Sequence, residues 1–261
     1  MPDAKAKRFM FKNIDPTSSQ NHSEPHQPVV FYRVMRPFSA LKRFLLPDGR
    51  KPLRIVSGPF KGIAMNLSLQ HQVQIYLGLF EKETHPWLSR LSVGIETAID
   101  VGAAYGEYTL FFLKKTNAAR IVAFEPDPKC LLILRENLKL NGAEQSSRLE
   151  LSETLVGDSD HAGMITLDSL AKSIRSPCFI KMDVDGSEAT ILHGATTLNA
   201  LPGIRWLIET HSKTLETECV QLLTAVGFKT RIIPNAWWRA LVPELRPIEH
   251  NRWLAAWKTL P

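Results

Sequence analysis

The fold is decided by the stretch Asp100-Val101-Gly102-Ala103-Ala104-Tyr105-Gly106. The apolar run that ends in it, residues 98–101, predicts a buried strand, and residues 108–115 after it predict a helix. A strand, a glycine-rich turn and a helix in this order are typical of the first unit of a doubly wound α/β sheet, in which ligands bind beyond the carboxyl ends of the strands. Gly102 permits the tight turn, and Gly106 allows the helix to begin close to the strand and to a ligand.

Strand and helix patterns alternate along the rest of the chain. The predicted strands are 98–101, 120–124, 149–156, 178–183, 206–209, 229–233 and 253–257, and the predicted helices are 108–115, 128–140, 188–198 and 215–226. Repeated strand–helix units indicate a largely parallel sheet. The last two strands are joined without a clear helix, which predicts an antiparallel pair at one edge. We therefore expect an α/β fold with a mostly parallel seven-stranded sheet and an antiparallel edge strand.

The chain before this sheet divides into two parts. Residues 1–28 are polar and lack periodicity, so we expect a disordered tail. Residues 29–92 predict an extension that contains a basic helix at 31–46, a hairpin around Gly58-Pro59 and two short helices at 70–80 and 87–91. The basic helix either packs on the domain or makes weak peripheral contact with a membrane surface. Residues 93–261 form the predicted main domain.

Charge and cysteine content limit the possible partners. Residues 1–54 contain eleven Lys and Arg side chains against four Asp and Glu, a net charge of +7, so the remainder carries −1 of the total +6. A nearly neutral main domain argues against a nucleic-acid substrate. No apolar run is long enough to cross a bilayer. Three well-separated cysteines suggest neither a disulfide framework nor a zinc site, which fits a cytoplasmic location. The sequence does not indicate an oligomeric state.

Glu125 extends the ligand hypothesis. It ends the second strand, 23 residues beyond Gly102, where its carboxylate can accept hydrogen bonds from both hydroxyls of a ribose. Dinucleotides and S-adenosylmethionine both satisfy this arrangement. The two-glycine Gly-x-x-x-Gly spacing and the carboxylate of Asp100, which suits a cationic methionine group, favour S-adenosylmethionine over a nicotinamide dinucleotide. A glycine turn without a ligand is the remaining explanation.

These segments resemble the FkbM family of methyltransferases. The matching stretches are 100–109, 123–128, 136–142, 166–170, Ile180-Lys181-Met182-Asp183-Val184-Asp185-Gly186-Ser187-Glu188 and Ile208-Glu209-Thr210-His211. The resemblance implies a Rossmann-like class I methyltransferase fold and transfer of a methyl group from S-adenosylmethionine to a hydroxyl oxygen of a sugar, lipid or polyketide-like small molecule. The residues expected to bind the cofactor are Asp100, Gly102, Ala103, Ala104, Tyr105, Gly106, Glu125, Pro126 and Asp158.

The sequence departs from the family pattern at three places. Ala104 stands where the family usually has Asn, which removes one polar contact to the cofactor. Asp185 replaces a more usual Glu. The stretch between Asp158 and Thr166 is short, so the assignment of Asp158 to the adenine side is the weakest of the set.

The candidate catalytic residues follow from strand alternation. Lys181 and Asp183 share one face of the fourth strand, and Glu209 and His211 share one face at the end of the fifth, so the two ends are expected to converge on the acceptor. His211 is the candidate base, since its pKa is naturally near neutral. Alternatively, Asp183 and Glu209 hold a divalent metal ion. Lys181 could instead pair with Glu188, and His211 could be a loop histidine bonded to backbone.

Some features remain open between a structural and a functional interpretation. Trp237, Trp238, Trp253 and Trp257 could line an acceptor site or pack in the core. Residues 136–142 also resemble segments of tRNA methyltransferases, although the acidic turn at 183–186 would repel a phosphate backbone. The sequence is also compatible with an oxidoreductase that uses NAD and with an inactive methyltransferase-like binding protein.

Overall fold

The expected sheet is present in the computed structural model, which describes residues 49–235 and 250–258. The predicted tail at 1–28, the basic helix at 31–46 and the Trp237-Trp238 pair lie outside these residues. In the described part of the chain, no helix combines the length and the apolar composition that crossing a bilayer requires.

The strands agree closely with the pattern in the sequence. They are β1 Arg50–Arg54, β2 Ala64–Ser68, β3 Thr97–Val101, β4 Arg120–Phe124, β5 Leu149–Ser152, β6 Leu155–Gly157, β7 Met164–Thr166, β8 Cys178–Met182, β9 Ile204–Thr210, β10 Lys229–Ile233 and β11 Arg252–Trp257. Within the described residues, seven of them form the central sheet in the order β10-β11-β9-β8-β3-β4-β5. β1 and β2 form the expected hairpin, and the order reverses beside β3, where this class of sheet binds its ligands.

The helices alternate with the strands. They are α1 Leu69–Leu77, α2 His85–Leu91, α3 Glu107–Lys115, α4 Pro128–Leu140, α5 Glu188–His193, α6 Thr196–Ala200 and α7 Lys213–Ala225, with 3-10 turns at Lys82–Thr84 and Asp168–Ser173. The helix predicted over 188–198 is divided into α5 and α6. The break lies at Gly194, where an added Cβ would lie 2.1 Å from the Gly157 carbonyl, so only glycine allows this approach.

The antiparallel pair that the sequence predicts at one edge of the sheet is confirmed as β10 and β11. β11 is antiparallel to both neighbours and is inserted between β9 and β10, so β10 forms the edge. Burial gives the reason: the central residues 253–256 of β11 are buried, whereas β10 exposes Lys229 and Arg231. An apolar strand needs neighbours on both sides, and a strand with exposed charges tolerates an open edge.

The strand predicted over 149–156 is also two strands. β5 ends at Ser152, whose hydroxyl accepts a hydrogen bond from the Thr154 N–H at 3.3 Å as the chain turns. β6 then pairs with β7 in a separate two-stranded parallel sheet. This small sheet leads directly into the 3-10 turn that precedes β8.

Two apolar layers cover the central sheet because successive strand residues point to opposite faces. The hairpin and α1 to α4 cover one face, and α5 to α7 cover the other. Trp253 is fully buried in the first layer, and Trp257 contacts Trp87 with ring centroids 5.0 Å apart. These two tryptophans therefore pack against the protein itself. The three cysteines are buried and free.

A buried arginine attaches α2 to the sheet. Arg205 in β9 is 4% exposed, and its Nη1 donates hydrogen bonds to the Leu91 carbonyl at 2.8 Å and the Val93 carbonyl at 2.7 Å. Both acceptors lie at the end of α2, where carbonyl groups lack partners within the helix.

Replacing this side chain tests the attachment. We expect Arg205→Met to lower the free energy of unfolding by about 2–4 kcal/mol, because two charge-assisted hydrogen bonds are lost and the Leu91 carbonyl stays buried without a donor. Urea unfolding measures the change. The control is Arg135→Met, which removes an exposed ion pair to Glu153 at 3.4 Å and is expected to cost less than about 1 kcal/mol. Equal losses in the two variants would contradict this role for Arg205.

Candidate active site

The loop after β3 is a sharp turn held by backbone contacts. The N–H groups of Gly102 and Ala103 both donate to the Phe124 carbonyl, at 3.0 and 2.9 Å. Gly102 (φ 74°), Ala104 (φ 47°) and Gly106 (φ 89°) are left-handed, and Gly106 is the N-cap of α3. The loop therefore leads the chain from the strand directly into the helix start, as the sequence predicted.

Gly102 lies against the end of β8. A Cβ at this position would lie 1.9 Å from the Asp183 carbonyl oxygen, and the Asp183 N–H donates to the Val101 carbonyl at 3.0 Å. The glycine is required both by its left-handed conformation and by this close approach. The turn and the candidate catalytic strand end are consequently in direct contact.

Glu125 supports the loop from the end of β4. Its Oε2 accepts a hydrogen bond from the Ala104 N–H at 2.7 Å, and its Oε1 accepts one from the Asp127 N–H at 2.9 Å. Burial raises the pKa of Glu125, although these two backbone donors oppose the rise. Each carboxylate oxygen keeps a second lone pair, so hydroxyl donors can still bind. Pro126, the next residue, is exposed.

The conformation of Ala104 explains why Asn would suit this position. Asn and Gly enter the left-handed region at little cost, whereas Ala pays roughly 1 kcal/mol. Ala104 is exposed, and its N–H is bonded to Glu125. Alanine in place of asparagine at position 104 therefore raises the energy of the loop conformation, in addition to removing a polar side chain.

The sequence predicts that Asp100 contacts the cofactor, but in the structure its carboxylate does not face an opening. Its side chain is fully buried, with Oδ2 accepting a hydrogen bond from Thr109 at 2.6 Å and Oδ1 lying 3.4 Å from Lys181 Nζ. Burial raises the pKa of Asp100, and the nearby lysine opposes this rise. The carboxylate is enclosed beneath the loop, so its assignment as a cofactor-binding residue stays a prediction.

Lys181 connects the loop to two strand ends. Its buried Nζ donates to the Gly102 carbonyl at 2.8 Å, lies 4.0 Å from the Asp183 carboxylate and lies 5.1 Å from the centre of the Tyr108 ring. Burial alone would lower the pKa of Lys181, but Asp100 and Asp183 raise it above its ordinary value. The side chain is therefore a fixed cation, and the ion pair with Glu188 that the sequence allowed is wrong, because Lys181 reaches Asp100 and Asp183.

His211 meets the end of β8, as the strand alternation predicted. Its Nε2 lies 3.4 Å from Asp183, 3.2 Å from Asp185 and 4.0 Å from Glu209, each measured to the nearest carboxylate oxygen. His211 contacts carboxylates through both ring nitrogens, which distinguishes it from a loop histidine bonded to backbone. The four candidate catalytic residues lie within one connected cluster.

Glu188 also belongs to this cluster, with His211 as its partner instead of the Lys181 that the sequence allowed. It begins α5 and is fully buried, and its Oε1 accepts hydrogen bonds from His211 Nδ1 at 2.5 Å and from the Gly186 N–H at 3.0 Å. Burial alone would lower the pKa of His211, but the hydrogen bond to Glu188 and the nearby carboxylates raise it. The available signal was an acidic residue at a helix start directly after the strand-end turn.

Two further contacts at this edge could not be predicted from the sequence. The Tyr108 hydroxyl donates to Glu81 at 2.5 Å, which ties the chain after α1 to the first turn of α3. Asn137 in α4 donates to the Tyr105 carbonyl at 2.8 Å. Tyr108 and Asn137 belong to segments that resemble the family, but their partners are far away in sequence.

The contacts of Asp158 are with residues outside this cluster. It is exposed after β6, accepts a hydrogen bond from Ser159 at 3.1 Å, and has its backbone close to Gly194. Its assignment to the adenine side stays a prediction.

Asp183, Glu209 and His211 could also hold a metal ion. Each offers one ligand atom, and these atoms lie within 4.8 Å of one another. Oxygen ligands suit Mg²⁺, and a histidine ligand with a carboxylate behind its other nitrogen is a common metal-site arrangement. The geometry is thus compatible with the divalent metal ion that the sequence allowed at these positions.

Comparisons with known proteins identify the fold. No protein-family model and no curated protein sequence matches this chain. Among solved structures, the methyltransferase FkbM from Methylobacillus flagellatus KT has a TM-score of 0.50 and 20% sequence identity, covering 62% of this chain and 44% of that chain. The fold is that of class I methyltransferases. This chain spans less than half the length of that FkbM methyltransferase.

Two more methyltransferase structures are similar at lower scores. Precorrin-6y C5,15-methyltransferase from Geobacter metallireducens GS-15 has a TM-score of 0.45 and 20% identity, covering 66% of this chain and 84% of that chain. An S-adenosylmethionine-dependent O-methyltransferase from Thermotoga maritima has a TM-score of 0.43 and 15% identity, with coverage of 67% and 64%.

The contact between Gly102 and Asp183 can be tested by adding one methyl group. We expect Gly102→Ala to lower the free energy of unfolding by at least about 3 kcal/mol, because the new Cβ would overlap a backbone carbonyl. The matched control is Gly142→Ala, since Gly142 is also left-handed (φ 61°) but has open space around it. The control should cost only about 1 kcal/mol, for the conformation alone. Urea unfolding measures both, and equal losses would refute the contact.

Proposed function

We propose that this chain is an S-adenosylmethionine-dependent methyltransferase of the FkbM type, and that it methylates a hydroxyl oxygen of a sugar, lipid or polyketide-like small molecule. The observation that carries the proposal is the position of His211. The Nδ1 atom of His211 is bonded to the buried carboxylate of Glu188. His211 lies at the same edge of the sheet as the loop of residues 102–106, which we call the glycine loop. A base beside a nucleoside site is what methylation of an alcohol needs.

The residues around the loop fit the cofactor. Glu125 retains acceptor capacity for two ribose hydroxyls, and its carboxylate is held in place by the Ala104 and Asp127 N–H groups. Asp100 and Asp183 place two carboxylates around the single positive charge of Lys181, and the net negative charge beside the loop favours a cationic sulfonium and ammonium group over a pyrophosphate. S-adenosylmethionine supplies an electrophilic methyl group, and the chain supplies the orientation of the acceptor.

The proposed chemistry of the chain is the removal of one proton. His211 Nε2 takes the proton of the acceptor hydroxyl as the oxygen forms its bond to the methyl carbon and the carbon–sulfur bond breaks. Glu188 fixes the tautomer with hydrogen on Nδ1 and stabilises the imidazolium that results. Asp183 and Glu209 can accept hydrogen bonds from other hydroxyls of the acceptor, which orients it for in-line attack.

A nucleic-acid acceptor is less compatible with the site. Asp183 and Asp185 place two carboxylates within 3.4 Å of His211, so the entrance would repel phosphates. The segment at 136–142 that also resembles tRNA methyltransferases has a structural explanation, because Asn137 and Asn141 both hold the hairpin. These contacts leave the small-molecule hydroxyl as the better-supported acceptor.

Calorimetry tests the choice of cofactor. We expect S-adenosylmethionine and S-adenosylhomocysteine to bind and NAD not to bind. Glu125→Ala should weaken S-adenosylhomocysteine binding by about tenfold or more, because charge-assisted hydrogen bonds to the ribose are lost. Glu153→Ala, at an exposed carboxylate, is the control and should leave binding unchanged. Binding of NAD without S-adenosylhomocysteine would overturn the proposed function.

The pH dependence of turnover tests the base. Because the pKa of His211 is raised above the ordinary value of about 6.5, the neutral imidazole forms only above it, and kcat/KM should rise with pH through a value above 6.5. Glu188→Gln should lower that pKa and move the rise to lower pH. His211→Ala should abolish turnover while leaving cofactor affinity nearly intact. Turnover is followed as S-adenosylhomocysteine released in a metabolite extract.

The matched control for these variants is His193→Ala. His193 also lies close to a glutamate, at 3.8 Å from Glu218, but this pair is half exposed on the surface. Its loss should leave the pH profile unchanged. Unchanged turnover in His211→Ala would remove His211 from the mechanism, and a rate abolished by EDTA would favour the metal ion instead.

A further inference from the structure

We propose that the β1–β2 hairpin is part of the cofactor site, because Arg50 and Asn137 link it to Tyr105 and so set the conformation of the glycine loop. This inference rests on the proposed function. Arg50 and Asn137 would act as positioning residues: they hold the loop in the form that binds the cofactor, whether or not they touch the cofactor itself.

The first link is a cation–π contact. The Arg50 guanidinium lies 4.4 Å from the centre of the Tyr105 ring, and its Nη1 donates to the Asn66 carbonyl across the hairpin at 3.2 Å. The guanidinium is therefore held by β2 while it covers the loop residue. Burial raises the pKa of Glu107 to about 7, and the charge of Arg50 is among the groups that oppose this rise, so its field extends to the start of α3.

The second link is the side-chain amide of Asn137. This fully buried residue accepts a hydrogen bond from the Asn66 N–H through Oδ1 at 2.7 Å. Its Nδ2 donates to the Tyr105 carbonyl at 2.8 Å. One amide thus joins the second strand of the hairpin to the glycine loop, and both of its ends are used.

Tyr105 is the residue through which such contacts control the loop. It lies between Ala104 and Gly106, which are both left-handed, and the Ala104 N–H is bonded to Glu125. An alanine does not favour this conformation, so the loop depends on restraints from outside. Arg50 restrains the ring of Tyr105, and Asn137 restrains its carbonyl.

The structure provides a matched control for each link. Arg54 lies on the same strand as Arg50 and also donates to a hairpin carbonyl, that of Gly62 at 3.0 Å. Asn141 lies one turn after Asn137 and also holds β2, bonding to the N–H and carbonyl of Ala64 at 3.0 and 2.6 Å. These two residues attach the hairpin through contacts that do not involve Tyr105.

The experiment compares Arg50→Met with Arg54→Met, and Asn137→Ser with Asn141→Ser. Hydrogen exchange of the peptide that covers residues 102–109 is measured without ligand, and S-adenosylhomocysteine affinity is measured by calorimetry. We expect faster exchange in Arg50→Met and Asn137→Ser, with affinity reduced about threefold and about tenfold. Both controls should stay within about twofold of the wild type.

The outcomes separate this inference from the proposed function. If the wild type binds S-adenosylhomocysteine and each variant matches its control in exchange and affinity, the inference fails and the proposed function stands. A wild type that does not bind overturns both. Should Asn137→Ser not fold, the exposed pair Arg50→Met and Arg54→Met decides the question alone, because neither removes a buried side chain.

Discussion

The buried ammonium group of Lys181 is the interaction on which the candidate site depends. It donates to the carbonyl of Gly102 and lies between the carboxylates of Asp100 and Asp183, so it joins the end of β3, the glycine loop and the end of β8. A buried carboxylate such as Asp100 is costly without a nearby cation. Gly102 is necessary for the same arrangement, since any Cβ would push the loop away from Asp183.

The charged groups around this lysine have different roles. Asp100 and Lys181 are enclosed beneath the loop, whereas Asp183 and Asp185 are more open and lie within 3.4 Å of His211 Nε2. Glu188 supports His211 from below, because its buried carboxylate accepts a hydrogen bond from Nδ1 and so sets the orientation of the ring. The candidate site thus combines an enclosed inner pair with more exposed carboxylates on neighbouring strand ends.

The features of the site that depend on local sequence pattern could be predicted from the sequence. The glycine loop, Glu125 at the end of β4 and the convergence of Asp183 with His211 all follow from strand alternation and turn chemistry, and the structure places them as expected. The sequence predicts strand 149–156 and helix 188–198 as single elements, whereas each is divided in the structure. The breaks depend on the tertiary fold, through the turn at Ser152 and the close packing of Gly194 on Gly157.

What the sequence could not provide were contacts between distant residues. The pairing of Glu188 with His211 spans 23 positions, and the insertion of β11 between β9 and β10 depends on which strand is more apolar. The enclosure of Asp100 likewise depends on Thr109 and Lys181 closing around it. A strand-end carboxylate looks the same in sequence whether it faces a ligand or the interior.

Methyl transfer to oxygen with His211 as the base is tested most directly by following the methyl group itself. A metabolite extract is incubated with S-adenosylmethionine labelled with ¹³C in the methyl group, together with the wild-type protein or His211→Ala, and the labelled products are identified by NMR. We expect a labelled methoxy carbon with the wild type and none with the variant. Label on nitrogen or carbon, or equal labelling by both proteins, would contradict oxygen-directed transfer by His211.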